Sequence, residues 1–184
     1  EITYGDWSSD VCSSDLFSAL DGLPMGTRSG QLDPGILLYL MLVKHLDVAE
    51  VEELLYKQSG LKGISGFTND MRDLEAAGTP EAEEAIGYFC AMIRREIGAM
   101  ATTLGGLDAV VFTGGIGEHS ARVRRQVIAP LGWLGVTLDG EANNGNGLTI
   151  SGPDSAIKVM VVPTDEELVI ARACLAFLPQ LTYA

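Results

Sequence analysis

Asp108-Ala109-Val110-Val111-Phe112-Thr113-Gly114-Gly115-Ile116-Gly117-Glu118 decides how this chain is read. An apolar run of strand type passes directly into a glycine-rich turn, and a helix opens on its far side. Glycines at 114, 115 and 117 remove the Cβ atoms that would hold a phosphate or ribose away from the backbone, and N–H groups at a helix start favour an anion. The same turn is also an ordinary strand-to-helix connection, so it needs support from the rest of the chain.

Working outward, strands and helices alternate. Ser120 to Ile128 reads as a helix, Val136 to Leu138 and Leu148 to Ser151 as short strands around a polar surface turn at 139–147, and Ile157 to Val162 as a buried strand. Thr164 with Glu167 has the spacing of a capping box for a last helix whose Leu168, Ala171, Leu175 and Leu178 form a stripe. Upstream, Asp33 and Pro34 open an apolar helix expected to be buried on most sides and to stop near Leu46. Asp47 with Glu50 caps Val48 to Lys57, with Gly60 at its C-terminal turn. Thr79-Pro80 starts a long helix to Leu104, with Ile86, Phe89, Ile93, Ile97, Met100 and Leu104 on its core face and Glu81, Glu83 and Glu84 at its positive end. The alternation argues for an α/β domain.

Lys and Arg together number 12 against 25 Asp and Glu, a net charge of −13. That balance excludes nucleic acid and anionic membrane as partners, since both require a basic face. The longest apolar run, Gly35 to Val43, is far below the roughly 20 residues that span a bilayer. No signal-peptide pattern is visible, and three cysteines without ligand spacing point to reduced thiols in the cytoplasm. Residues 1–16, where Ser-Ser-Asp occurs twice, lack a usable apolar period and read as a non-native segment.

Four blocks bring the motifs together. Gly22-Leu23-Pro24-Met25-Gly26-Thr27-Arg28-Ser29-Gly30 followed by Asp33-Pro34-Gly35 resembles the MGTRSG…DPG block of acetate kinases. Ser65-Gly66 with Asn69-Asp70-Met71-Arg72 resembles their SG…NDMR segment, and Phe112 to Glu118 their FTGGIGE loop. Val162-Pro163-Thr164-Asp165-Glu166-Glu167-Leu168 is similar to their VPTNEEL ending, with Asp165 where asparagine is usual, and His119 likewise stands where asparagine is usual. The resemblance starts at Phe17.

That resemblance implies the nucleotide-binding fold shared by actin, sugar kinases and the heat-shock chaperone ATPase, here the C-terminal domain at 17–163. Residues 164–184 form a terminal helix expected to pack on an N-terminal domain whose motifs are absent. It further implies transfer of the γ-phosphoryl of ATP to acetate, giving acetyl phosphate and ADP, with propionate or butyrate kinase as the alternative, or an inactive nucleotide-binding or dimerising module. In that pattern Arg28 is catalytic, Glu166 holds Mg²⁺, and Asp70, Met71, Arg72, Gly115, Ile116, Gly117, Glu118 and His119 cradle ATP or ADP. Family members pair through this half, so a homodimer is expected, with the helix from Pro80 to Leu104 as one surface for it. On residue type alone, His45 reads as a satisfied structural histidine, and Trp133, Tyr88 and the methionines as core or interface residues.

Overall fold

A computed structural model describes residues 18–175 of the 184-residue chain. The expected segment 1–16 and Leu178 of the terminal stripe lie outside the described residues. The chain divides into two compact units, one containing residues 18–107 and 126–133, the other residues 108–125 and 134–175.

The first unit is helical. It contains α1 (Pro34–Leu42), α2 (Val48–Lys57), α3 (Gly60–Ser65), α4 (Met71–Ala77) and α5 (Pro80–Leu104). Four of the five, all but α3, start at an N-terminal side-chain cap. The Asp33 side chain accepts from Gly35 N, Asp47 and Glu50 exchange capping-box bonds, Asp70 accepts from Arg72 N and Thr79 accepts from Ala82 N. Gly105, with a left-handed φ of 75°, ends α5. The core lies where α3 and α4 pack on the first half of α5, with Leu61, Leu74, Ala82, Ala85, Ile86 and Cys90 fully buried. The second half of α5 is looser: Ile93, Ile97 and Met100 are half-buried and Leu104 is exposed.

Three expectations for this unit are corrected. Helix α1 ends at Leu42, and none of its residues is buried. It is apolar on all sides, while α2 is its main packing partner, so Ile36, Leu38, Tyr39 and Leu42 are exposed. Gly60 does not close α2; Gln58 does, and Gly60 opens α3 with a φ of 61°. His45 is exposed with a φ of 59°, so it is a turn residue and not a satisfied structural histidine. Trp133 is exposed, which leaves the interface side of its reading.

The second unit contains β1 (Ala109–Phe112), α6 (Gly114–His119), the start of α7 (Ala121–Ile128), α8 (Gly140–Asn144), β2 (Lys158–Val161) and α9 (Glu166–Leu175). Strands β1 and β2 pair in parallel, Ala109 opposite Lys158 and Phe112 opposite Val161. This is the alternation the sequence predicts, with helices in the crossover. Phe112, Val123, Val136, Ile150, Ile157, Val159 and Val161 form its core.

The strands expected at 136–138 and 148–151 reduce to isolated antiparallel bridges, Leu138 to Ser151 and Thr149 to Met160. The expected surface turn at 139–147 instead holds α8, because the Asp139 side chain accepts from Glu141 N and Ala142 N. Strand β1 is less buried than its composition suggests: Phe112 faces the core while Val111 is half exposed.

Candidate active site

Arg28 sits in a turn built almost entirely from backbone bonds. Ser59 N donates to Thr27 O at 2.9 Å, Leu61 N to Met25 O at 3.0 Å and Lys62 N to Gly26 O at 2.9 Å. The opening N–H groups of α3 therefore satisfy the carbonyls of the Arg28 turn, and Thr27 Oγ1 adds a bond to Tyr56 O at 2.8 Å. Gly60 makes this approach possible: a Cβ there would lie 2.0 Å from Met25 O and 2.7 Å from Arg28 O. The Arg28 side chain is half-buried. Its guanidinium lies 5.8 Å from the Tyr56 ring centroid and reaches Met25 Sδ at 3.8 Å. Among the described residues no carboxylate forms an ion pair with it. It is a cation on a rigid turn, stacked on an aromatic face, with most of its donors unspent.

The Asn69 to Arg72 segment lies close by in the same unit, since a Cβ on Gly26 would meet Asn69 O at 3.1 Å. Asp70 caps α4 and grips Arg72 in a fork, Nε to Oδ1 at 3.0 Å and Nη2 to Oδ2 at 2.5 Å. The Arg72 hydrogen bonds hold the Asp70 carboxyl down at about 2. Met71 is buried beside them, so its side chain belongs to the core.

In the second unit the glycine motif folds differently from its expected form. Gly114 to Glu118 are themselves helical, and Gly114 takes up a φ of 71° at the first position. The anion at this helix start is the chain's own. Glu118 Oε1 accepts from Gly114 N at 2.8 Å, from Thr164 N at 2.9 Å and from Thr164 Oγ1 at 3.0 Å. These bonds, with the Thr164 backbone N–H the foremost, lower the Glu118 carboxyl below its usual range. Gly115 is open, with nothing within 4 Å of where a Cβ would stand. His119 Nδ1 bonds to Gly115 O at 2.9 Å, and because a carbonyl only accepts, Nδ1 carries the proton and Nε2 of the neutral ring is an acceptor.

The expected capping box of Thr164 and Glu167 does not form, because Thr164 is taken by Glu118. Asp165 caps α9 in its place, its Oδ1 accepting from Leu168 N at 2.8 Å. Glu166 is the first residue of α9, and its side chain lies outside what is described. The donor chemistry there fits Mg²⁺, with carboxylates at 165–167 on a helix start. Among the described residues no cluster of three metal-ligating side chains occurs. Mg²⁺ held by one or two carboxylates together with phosphates and water does not require one.

Arg124 was not legible as a site residue. Its side chain is fully buried and donates to Asn143 Oδ1 at 2.8 Å, Asn143 O at 2.7 Å and Asn146 Oδ1 at 2.5 Å. It also donates to Gly117 O at 2.8 Å and Glu118 O at 2.9 Å, so it grips the end of the glycine loop from below. Burial lowers its affinity for a proton, though five acceptors compensate the charge. The available signal was its place on the apolar stripe of α7, beside Val123 and four residues before Ile128.

The acetokinase family model matches residues 10–172, a span that begins ahead of Phe17. The chain is 56% identical over 174 residues to the acetate kinase of Methylocella silvestris, covering 95% of this chain and 43% of that protein. It is 55% identical over 159 residues to that of Rhodopseudomonas palustris, covering 85% and 40%. Among solved structures, a Porphyromonas gingivalis acetate kinase superposes with a TM-score of 0.82 at 40% identity, over 88% of this chain and 42% of that one. A propionate kinase from Francisella tularensis gives 0.78 at 41%, over 83% and 40%. The chain thus spans about two fifths of the length of the relatives it matches, and its α/β architecture is theirs.

Proposed function

The chain belongs to the acetokinase family, and from that premise we propose that the protein it forms part of transfers the γ-phosphoryl group of ATP to acetate, giving acetyl phosphate and ADP, and runs the reverse reaction. The observation that carries this reading is Arg28: a half-buried guanidinium on a turn locked by α3, with no ion-pair partner among the described residues. Phosphoryl transfer needs in-line placement and neutralisation of charge on the transferring oxygens more than covalent help. A planar fork stacked on Tyr56 supplies the second requirement with little reorganisation.

Gly115 to His119 form the nucleoside loop, with Gly115 and Gly117 letting the ligand approach the backbone, Glu118 holding the loop in shape through Gly114 N and Thr164, and His119 Nε2 accepting from a ribose hydroxyl or an amine. Asp70 and Arg72 serve nucleotide binding as one pre-formed polar pair of the first unit, and Met71 supports them from its core. Glu166 holds Mg²⁺, which when bound neutralises phosphate charge and orients the oxygens. The terminal helix packs on the N-terminal part that the relatives possess, a reading supported by the exposure of Leu168, Ile170 and Leu175.

Acetate and acetyl phosphate are the small-molecule partners, and the chain pairs with a second copy through this half. The exposed apolar residues of α1 support pairing, since a helix that is apolar on all sides gains by being covered. No described helix is long and apolar enough to cross a membrane; the reduced-thiol composition supports a cytoplasmic setting.

A second reading, propionate as the acceptor, is favoured by one observation: among solved structures the propionate kinase is as similar to this chain as the acetate kinase, 41% against 40% identity. Hydroxamate detection of acyl phosphate, with acetate, propionate and butyrate offered to the full-length protein, tests both. The acetate reading is abandoned if kcat/KM for propionate or butyrate exceeds that for acetate.

A further inference from the structure

Glu118 lies in the glycine loop, and its side chain is engaged by the chain's own groups. One oxygen, Oε1, accepts all three hydrogen bonds, two of them from Thr164. Thr164 is separated from Glu118 by 46 positions, and it is followed immediately by Asp165, the cap of α9, and by Glu166. The backbone on the other side of Glu118 is equally committed, because its carbonyl accepts from the buried Arg124. Gly114 N, at the start of the loop, is held by the same carboxylate that holds Thr164.

We propose that Glu118 is a positioning residue that ties the glycine loop to the start of α9, so that the loop and the helix start at which Glu166 stands are held in one fixed spacing. This rests on the reading of those two groups given above. A carboxylate suits the task because charge-assisted bonds to two backbone N–H groups and a hydroxyl are stronger than neutral ones. It also satisfies one backbone N–H in each of the two segments it joins, Gly114 N and Thr164 N. Partners standing behind ligating groups in this way commonly cost 10- to 100-fold in metal affinity or activity when removed.

The test uses the full-length protein with Glu118→Ala, Glu118→Gln, Thr164→Val and the double variant Glu118→Ala/Thr164→Val. Because a single oxygen takes all three bonds, glutamine can present an acceptor in the same place, so Glu118→Gln is expected to recover at least about tenfold of the kcat that Glu118→Ala loses. For Glu118→Ala the Mg²⁺ concentration at half-saturation should rise roughly tenfold or more, while the dissociation constant of ADP measured calorimetrically without Mg²⁺ changes less than about threefold. In thermal melts without Mg²⁺ or nucleotide, the Glu118→Ala and Thr164→Val losses should be non-additive, the double variant melting close to Glu118→Ala alone.

Additive melting losses would overturn the tie, as would Glu118→Gln being as damaging as Glu118→Ala. A Mg²⁺-free ADP affinity that falls tenfold in Glu118→Ala would make Glu118 a nucleotide contact and also overturn it. Failure of the wild-type protein to phosphorylate any acylate is a separate result: it removes the proposed reaction but leaves the melting cycle to judge the tie.

Discussion

Arg124 and Asn143 are both fully buried and joined by two hydrogen bonds, Nε to the asparagine side-chain oxygen at 2.8 Å and Nη2 to its backbone carbonyl at 2.7 Å. Asn143 in turn donates through Nδ2 to Ala121 O at 2.8 Å, so the fully buried Arg124 and Asn143 side chains sew α8 to the start of α7. Replacing Arg124 by methionine keeps the volume of the stem but strands several carbonyls, each costing about 1–3 kcal/mol. The expected loss is on the order of 3–5 kcal/mol, read as a fall in the denaturation midpoint. Arg124→Lys should recover only part of it, because an ammonium cannot span five acceptors in a plane. A midpoint within experimental error of wild type for Arg124→Met would show the network to be energetically idle.

Two glycines should separate fold from ligand. Gly60 has a φ of 61° and backbone oxygens of Met25 and Arg28 where a Cβ would go. Gly60→Ala should therefore cost on the order of 2–4 kcal/mol and displace the Arg28 turn. At Gly117 a Cβ would meet Phe112 only at ordinary contact, 3.5 Å. Gly117→Val should cost less stability than Gly60→Ala and abolish the proposed ADP binding, because the branched side chain pushes the loop away from Phe112 and stiffens its backbone. Equal calorimetric affinity in wild type and Gly117→Val would remove the loop from the site.

The sequence carried the helix starts and the strand–loop–helix connection because these are set locally: Asp33, Asp47 and Thr79 all cap where their spacing says they should. What it could not carry depended on distant partners. Thr164 and Glu167 have capping-box spacing, but Glu118 competes successfully for Thr164, and Asp165 takes over the cap. Arg124 looks like one more basic residue in the Arg122 to Arg125 run until Asn143 and Asn146 fold onto it. Helix α1 reads as core by composition, but burial depends on what covers it, and α2 alone does not suffice.

Acid should act on the Asp70–Arg72 pair in a defined window. The folded carboxyl sits at about 2 instead of its usual 3.8, a depressed value, so its contribution is fully present above the ordinary aspartate value and is lost as pH falls toward 2. At neutral pH nothing about this pair should vary. Carboxyl chemical shifts followed by NMR from pH 6 to pH 1.5 should place the Asp70 midpoint well below that of an exposed aspartate, and Arg72→Ala should bring it back up. An Asp70 midpoint near the ordinary value in the unsubstituted chain would mean that the fork does not persist in solution.

In the full-length protein, Arg28→Lys should lower turnover far more than it changes nucleotide affinity. Lysine keeps the charge but loses the fork that can hold two phosphoryl oxygens and the planar face that stacks on Tyr56. The loss belongs in kcat, roughly 100-fold or more, with KM for ATP nearly unchanged. Near-normal kcat with a raised KM would make Arg28 a ground-state binding residue.

The 184-residue chain by itself should form no measurable acyl phosphate, because it spans 43% of the Methylocella relative, and the proposed reaction draws on groups from the remainder. Its apolar surface gives a way to test that dependence. Leu168 and Leu175, seven positions apart and so on one face of α9, are 42% and 59% exposed, a face that invites association when nothing covers it. Supplying the N-terminal part of a relative as a separate polypeptide should cover that face, raise the melting temperature and restore some acetate-dependent hydroxamate formation. Leu168→Lys, which places a charge in the covered face, should block restoration while leaving the melting temperature of the chain alone within about 0.5 kcal/mol equivalent of wild type, as expected for an exposed site. Robust acetyl phosphate formation by the unaided chain would refute the dependence on a second domain.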